Sequence, residues 1–269
     1  MLDVISYVNE RKDIVKRHVD LFVECGDRAP RLAIVTDNKN FDANQSYIKS
    51  KTKFAMDVGV ECDVIVLNDD QEFIPNPEHY DAIIVQYPFR NLTFAEFQMY
   101  VTKYVPPEQD VDGLGKYSVF SACTPLGIVH YLDHLRKKEV IPEHITVNVI
   151  GAGGLVGKPL VEMLMNDPYA TVCVTRSNTN PDVACAFREW SDVIVCATPE
   201  HDLIKWVDYD KVYIDCGCNL VNGKLLGNVS RDCYTHDAPV TPVPGGVGRL
   251  TVLSLFDNVI GAYLLRGKQ

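Results

Sequence analysis

Tyr47-Ile48-Lys49-Ser50-Lys51 sets a phenol and an amine one helical turn apart. At that spacing Tyr47 and Lys51 share a face and can act together on a bound group, while Lys49 points elsewhere. A lysine in so lysine-rich a stretch is equally what a solvated helix surface looks like. Val85-Gln86-Tyr87-Pro88 puts a side-chain amide at the end of an apolar run, where open α/β sheets bind ligands. Asp110-Val111-Asp112-Gly113 offers a carboxylate, or only an Asp-Gly turn. Near the C-terminus stands Thr241-Pro242-Val243-Pro244-Gly245-Gly246-Val247-Gly248. Two prolines fix φ there and two adjacent glycines relax it, giving a rigid approach and then a bend without side chains. Such backbone suits close contact with a flat ligand; it also suits a plain tight loop before a helix.

A second kind of chemistry is legible at Val149-Ile150-Gly151-Ala152-Gly153-Gly154-Leu155-Val156-Gly157. A β-branched run ends here and a helical pattern begins, the setting in which a glycine turn presents N–H groups to a pyrophosphate. The spacing departs from G-x-G-x-x-G, since Gly157 is the next glycine after Gly154, and a structural strand–helix connection can use the same residues. The next strand ends Thr175-Arg176-Ser177-Asn178-Thr179, with no acid for ribose hydroxyls. Arg176 can grip a 2′-phosphate in bidentate fashion and Ser177 can donate to it. NADP is therefore preferred and NAD stays possible; a merely solvated Arg176 is the bland alternative.

These residues need elements to hold them. Arg31 to Thr36 reads as a buried strand, followed by a helix over about Asn44 to Val60 and apolar runs at Asp63 to Leu67 and Ala82 to Val85. Before them an amphipathic helix to about Cys25 carries Val4, Ile5, Val8, Ile14, Val15 and Leu21 as its inner stripe. Thr124 to Leu135 reads as a connecting helix. A second block then follows: a strand at Ile145 to Ile150, a helix over Val156 to Met165, and strands near Ala170 to Thr175, Asp192 to Cys196 and Val212 to Asp215. Thr251 to Leu265 carries apolar residues at helical spacing. Strands alternating with helices imply parallel sheets, so the fold class is α/β with two lobes.

Composition narrows the function. The chain has 269 residues, 46% of them hydrophobic, enough for about two domains with real cores. No apolar run reaches the ~18 residues of a membrane span. Met1-Leu2-Asp3-Val4 lacks a basic region before an apolar stretch, so a cytoplasmic location without a signal peptide is expected. The nine cysteines are odd in number and scattered, which suits buried free thiols in a reducing compartment. Cys216-Gly217-Cys218 is too close for a zinc pair, and no metal is expected. A net charge of −10 argues against nucleic acid as a partner, though local cations can still hold a small anionic cofactor.

In this order the segments resemble the bifunctional methylenetetrahydrofolate dehydrogenase/cyclohydrolase family, from about Arg31 to Tyr263. Tyr47 and Lys51 match its Y-x-x-x-K, Val85-Gln86 its V-Q-x-P, Asp110 to Gly113 its D-V-D-G, and Cys123-Thr124-Pro125 its C-T-P. Gly151 to Pro159 match the cofactor turn, Asp215-Cys216-Gly217-Cys218-Asn219 the late strand end, and Pro244 to Thr251 the final substrate loop. The resemblance implies an N-terminal α/β catalytic, folate-binding lobe over 1–122, completed by 247–269, and a Rossmann-like NADP-binding lobe over 123–246. The last helix then returns to the first lobe. It also implies a homodimer built through the cofactor lobe. Tetrahydrofolate derivatives would be held by Tyr47, Lys51, Val85, Gln86, Tyr87, Asp112, Pro244, Gly245, Gly246 and Thr251. The cofactor would be held by Gly151, Ala152, Gly153, Thr124, Arg176, Ser177 and Cys218. Catalysis would fall to Lys51 for proton exchange, with Tyr47 beside it, Gln86 holding it and Asp112 anchoring the pterin. This sequence has Asn44 where the family often has Ser, a shorter stretch between Asp112 and Cys123, Ala152 for a frequent Arg and Arg249 for the usual Pro. A dehydrogenase without cyclohydrolase activity and a non-catalytic nucleotide-binding module are the rival readings.

Overall fold

The apolar run that opens the first block becomes strand β1 (Arg31–Asp37), buried along all but its first residue, in a computed structural model that describes residues 1–68, 76–221 and 223–267. The chain divides into two compact units, Asn9–Cys123 with Val252–Gln269, and Met1–Val8 with Thr124–Thr251. The boundaries expected from the sequence differ from this division at 1–8, at 123 and at 247–251.

The unit centred on β1 also contains most of helix α1 (Val4–Glu24), then α2 (Phe41–Val58), β2 (Glu61–Leu67), β3 (Ala82–Val85) and α3 (Phe94–Tyr104). Its sheet is parallel, in the order β2-β1-β3. Ladder bonding continues past β3, where the Gln86 N–H donates to Val35 O at 2.8 Å. On the outer side of β3, Ile83 N–H donates to Gln109 O at 2.8 Å, which lays the Asp110 segment beside the sheet. Ala33, Val35, Ile83, Val85, Phe89, Phe97 and Val101 form the core between sheet and α3. Thr93 and Glu96 close a capping box at the start of α3, and α2 stops at left-handed Gly59.

The inner stripe of α1 is narrower than expected. Val4, Tyr7, Val8, Val15 and Val19 are buried, whereas Ile5 and Leu21 are exposed. At 100° per residue Ile5 falls one step, and Leu21 two, off the line through 4, 8, 15 and 19.

The second unit contains most of α4 (Cys123–Lys137), then β4 (Ile145–Ile150), α5 (Gly157–Leu164), β5 (Ala170–Thr175), α6 (Pro181–Trp190), β6 (Val193–Cys196) and β7 (Val212–Asp215). A small hairpin, β8 (Asn219–Val221) with β9 (Lys224–Leu226), precedes α7 (Val247–Arg266). The sheet is parallel in the order β5-β4-β6-β7, so the chain reverses direction across β4 and leaves a switch point at that strand's carboxyl end. Helix α7 begins inside the proline–glycine segment, so Gly248 is helical rather than part of the bend. By length and composition α7 could cross a membrane, yet 61% of its most apolar window is buried in the fold. All nine cysteines are free, but only Cys123, Cys196 and Cys233 are buried; the expectation of generally buried thiols fails at exposed Cys25, Cys185 and Cys218.

Candidate active site and cofactor turn

The inward face of α2 is Asn44, Ile48, Lys51, Phe54, Ala55 and Val58, a helical stripe in which Lys51 occupies a core position. That register, not any property of lysine, turns its chain inward. The residue is 5% exposed, while Lys49 and Lys53 remain on the surface, so the solvated-lysine alternative is overturned. Lys51 Nζ donates to Gln86 Oε1 at 3.0 Å and lies 3.6 Å from Asp112 Oδ2. Three expected residues therefore converge. Tyr47, one turn earlier, is 46% exposed at the rim of the same helix.

Each partner of Lys51 is held by backbone. Gln86 follows the buried Val85 at the carboxyl end of β3, and its Nε2 donates to Tyr87 O at 2.9 Å, which leaves Oε1 facing the ammonium. The Tyr87 ring packs edge-on against Phe94 and Phe97, and the Tyr87–Pro88 peptide is cis. Asp112 sits in a true turn, with Gly113 N–H donating to Asp110 O at 3.2 Å and Gly113 at φ 69°. The turn reading and the carboxylate reading thus hold together. A Cβ on Gly113 would stand 2.5 Å from Ser121 C, so only glycine lets the two ends of this loop cross.

The short stretch between Asp112 and Cys123 is stapled from behind. Asn258 on α7 donates through Nδ2 to Val111 O at 2.9 Å and to Ser121 O at 3.2 Å. The Cys123 thiol donates to Val111 O at 3.2 Å, and burial holds it well above the ordinary thiol range. Buried Asp110 accepts from Gly115 N–H at 2.7 Å, yet desolvation, with help from the nearby Asp112 charge, pushes its carboxyl up to about 6. Asn258 was missed by sequence reasoning, and Asp110 was named only within its motif; a buried polar residue in an apolar helix was the available signal at 258.

In the other unit, Gly245 takes φ 108° after a cis Val243–Pro244 peptide, and a Cβ on Gly246 would lie 2.5 Å from Pro242 O. Pro244 is exposed. Thr251 donates to Val247 O at 3.0 Å, so its single proton is used and Thr124 is the donor in the 3.0 Å Thr124–Thr251 hydroxyl pair.

At the switch point, a Cβ on Gly151 would stand 2.3 Å from Ala197 O, and one on Gly157 2.3 Å from Gly151 O. Those two glycines are demanded by packing. Gly153 is different: nothing lies within 4 Å of its missing Cβ. The N–H groups of Ala152, Gly153 and Leu155 make no hydrogen bond among the described residues, although Ala152 is itself buried. Thr175 is in register with Ile150, so exposed Arg176 and Ser177 emerge beside this turn. Thr179 shapes their loop by accepting from Arg176 N–H at 2.9 Å. Cys218 is exposed past the end of β7. Behind it, buried Asp215 accepts from Gly217, Asn228 and Val229 N–H, each at 2.8 Å, and from Tyr234 OH at 3.0 Å. Unpaired N–H donors, an open glycine and an adjacent guanidinium and hydroxyl are the donor set a phosphorylated dinucleotide needs.

A parallel sheet with such a turn at its switch point, carried on a chain whose other α/β unit encloses a lysine, defines a two-unit protein of the dinucleotide-binding α/β class. The NAD(P)-binding domain of tetrahydrofolate dehydrogenase/cyclohydrolase matches residues 122–266. The bifunctional protein FolD of Halothermothrix orenii is 30% identical over 99% of this chain and 99% of its own. That of a Hydrogenobaculum species is 33% identical over 94% and 95%. Among solved structures, the bifunctional FolD methylenetetrahydrofolate dehydrogenase/cyclohydrolase of Campylobacter jejuni superposes with a TM-score of 0.78 at 25% identity, covering 98% of each chain. The chain belongs to the tetrahydrofolate dehydrogenase/cyclohydrolase family.

Proposed function

We propose that this protein oxidises 5,10-methylenetetrahydrofolate to 5,10-methenyltetrahydrofolate with NADP⁺ and hydrolyses that product to 10-formyltetrahydrofolate. The observation that carries the reading is a buried Lys51 held between Gln86 Oε1 and the Asp112 carboxylate. The names of its relatives and an NADP complex of the Trypanosoma brucei enzyme, similar in fold, support it.

When bound, NADP⁺ supplies the acceptor for the hydride that leaves the bridging methylene. The N–H groups of Ala152 and Gly153 with the turn of Gly151 would hold its diphosphate, Arg176 and Ser177 its 2′-phosphate, and Thr124 and Cys218 would border it. On the folate side Asp112 would accept hydrogen bonds from the pterin, and Tyr47, Val85 and Tyr87 of the same unit would help orient the ring system. Orientation is most of what the protein contributes to hydride transfer. In hydrolysis a water oxygen bonds to the bridging carbon and the carbon–N5 bond breaks. N5 gains one proton and one proton is released. Lys51 is the group that moves those protons, with Gln86 fixing its Nζ. Retention of Lys51, Gln86 and Asp112 in one cluster favours the bifunctional reading over a dehydrogenase alone or a non-catalytic nucleotide binder. A homodimer and a cytoplasmic location complete the proposal.

One coupled assay tests it. Purified protein given methylenetetrahydrofolate and NADP⁺ should produce NADPH and then consume the methenyl product. Methenyltetrahydrofolate that accumulates at the uncatalysed hydrolysis rate would leave a dehydrogenase only, and no NADPH would leave the binder.

A further inference from the structure

Asn44 lies two turns before Lys51 on the same inward face of α2 and is completely buried. Its Nδ2 points at three acceptors: Thr36 Oγ1 at 3.2 Å, Gln86 O at 3.4 Å and Pro88 O at 2.9 Å. Its Oδ1 is buried with no hydrogen-bond partner among the described residues. Every bond Asn44 makes through its side chain is therefore donated by Nδ2. What Asn44 provides is donors. One amide bridges the end of β1 to the carbonyls on both sides of Tyr87, the segment from which the Gln86 side chain departs.

We propose that Asn44 is a positioning residue for the hydrolytic half-reaction, acting on Lys51 through Gln86. The Gln86 amide is oriented by its own bond to Tyr87 O, and Asn44 clamps the backbone on either side of that carbonyl. A Gln86 amide turned over would present NH₂ to an ammonium, donor against donor, and Lys51 would lose its acceptor. Asn44 thus fixes which face of the amide Lys51 meets. This inference rests on the role given to Lys51 above. Hydride transfer does not use Nζ, so the two activities should respond unequally.

The test compares Asn44→Ala, Asn44→Ser and Lys51→Met for cyclohydrolase kcat, dehydrogenase kcat/KM and melting temperature. Asn44→Ala should lower hydrolysis about 10- to 100-fold, the scale of a small misplacement, with the dehydrogenase within about threefold of wild type. Asn44→Ser keeps one donor and should recover a large part of that loss. Parallel falls in both activities that track the melting temperature, or unchanged hydrolysis in a folded Asn44→Ala, would overturn the proposal. If the alanine variant does not fold, the serine variant decides by the same ratio of activities. Lys51→Met separates the premises: normal hydrolysis there removes the role of Lys51, whereas its loss beside an unaffected Asn44→Ala removes only that of Asn44.

Discussion

Replacing Lys51 with methionine keeps the length and apolar character of the side chain and deletes only the charged head. Two consequences can be sized. At 3.6 Å, unit charges on Lys51 and Asp112 attract by about 1 kcal/mol at the dielectric constant of water and about 5 kcal/mol at an effective value of 20. The side chains are 6% and 14% exposed, which places the pair toward the second figure, while desolvation of both charges cancels part of it. A coupling of about 1–3 kcal/mol is therefore expected from a double-mutant cycle of Lys51→Met and Asp112→Asn, read by urea unfolding of the four proteins. The kinetic consequence is larger. A missing proton carrier should lower hydrolysis by about 10²–10⁴-fold, or roughly 3–5 kcal/mol of barrier, with cofactor affinity unchanged. Asp112→Asn should weaken folate binding and both reactions, with a loss of stability set by the Lys51 pair and not by the turn, because Asn is tolerated in this turn. A coupling below about 0.5 kcal/mol would refute the electrostatic argument. Near-normal hydrolysis by folded Lys51→Met would refute the catalytic one.

Arg176→Ala should narrow the preference of kcat/KM for NADP⁺ over NAD⁺ by at least about tenfold, since a charge-assisted bond is worth roughly 1.5–3 kcal/mol; equal use of both cofactors by the wild type would refute the reading of this strand end. Asp110 binds its proton more tightly folded than unfolded, so its contribution to stability is lost as pH rises from the ordinary carboxylate range to about 6. Asp110→Asn should accordingly gain on the wild type by up to about 3 kcal/mol between pH 4 and pH 7 in denaturant titrations, and a constant difference across that range would show that burial does not hold the proton.

Sequence alone determined the α/β class and most strands to within a residue, because β-branched runs and glycine turns are local signals. It could also name Gln86 and Asp112 from their motifs. It could not decide whether Asp110–Gly113 was only a turn, since that depends on what stands across from it; the fold forms the turn and brings its Asp112 carboxylate to Lys51. Helix α1 shows the same limit in miniature, with Ile5 and Leu21 apolar in sequence but rotated away from the core. Lys51 gives the sharpest case. Its neighbours Lys49 and Lys53 are chemically identical and remain in water, and only the register of α2 against the sheet selects which amine is desolvated. Asn44 and Asn258 act across gaps in sequence that no spacing rule spans, such as the 147 residues from Val111 to Asn258. A side chain's burial and its partners are set by long-range packing, and that is the information a linear pattern does not carry.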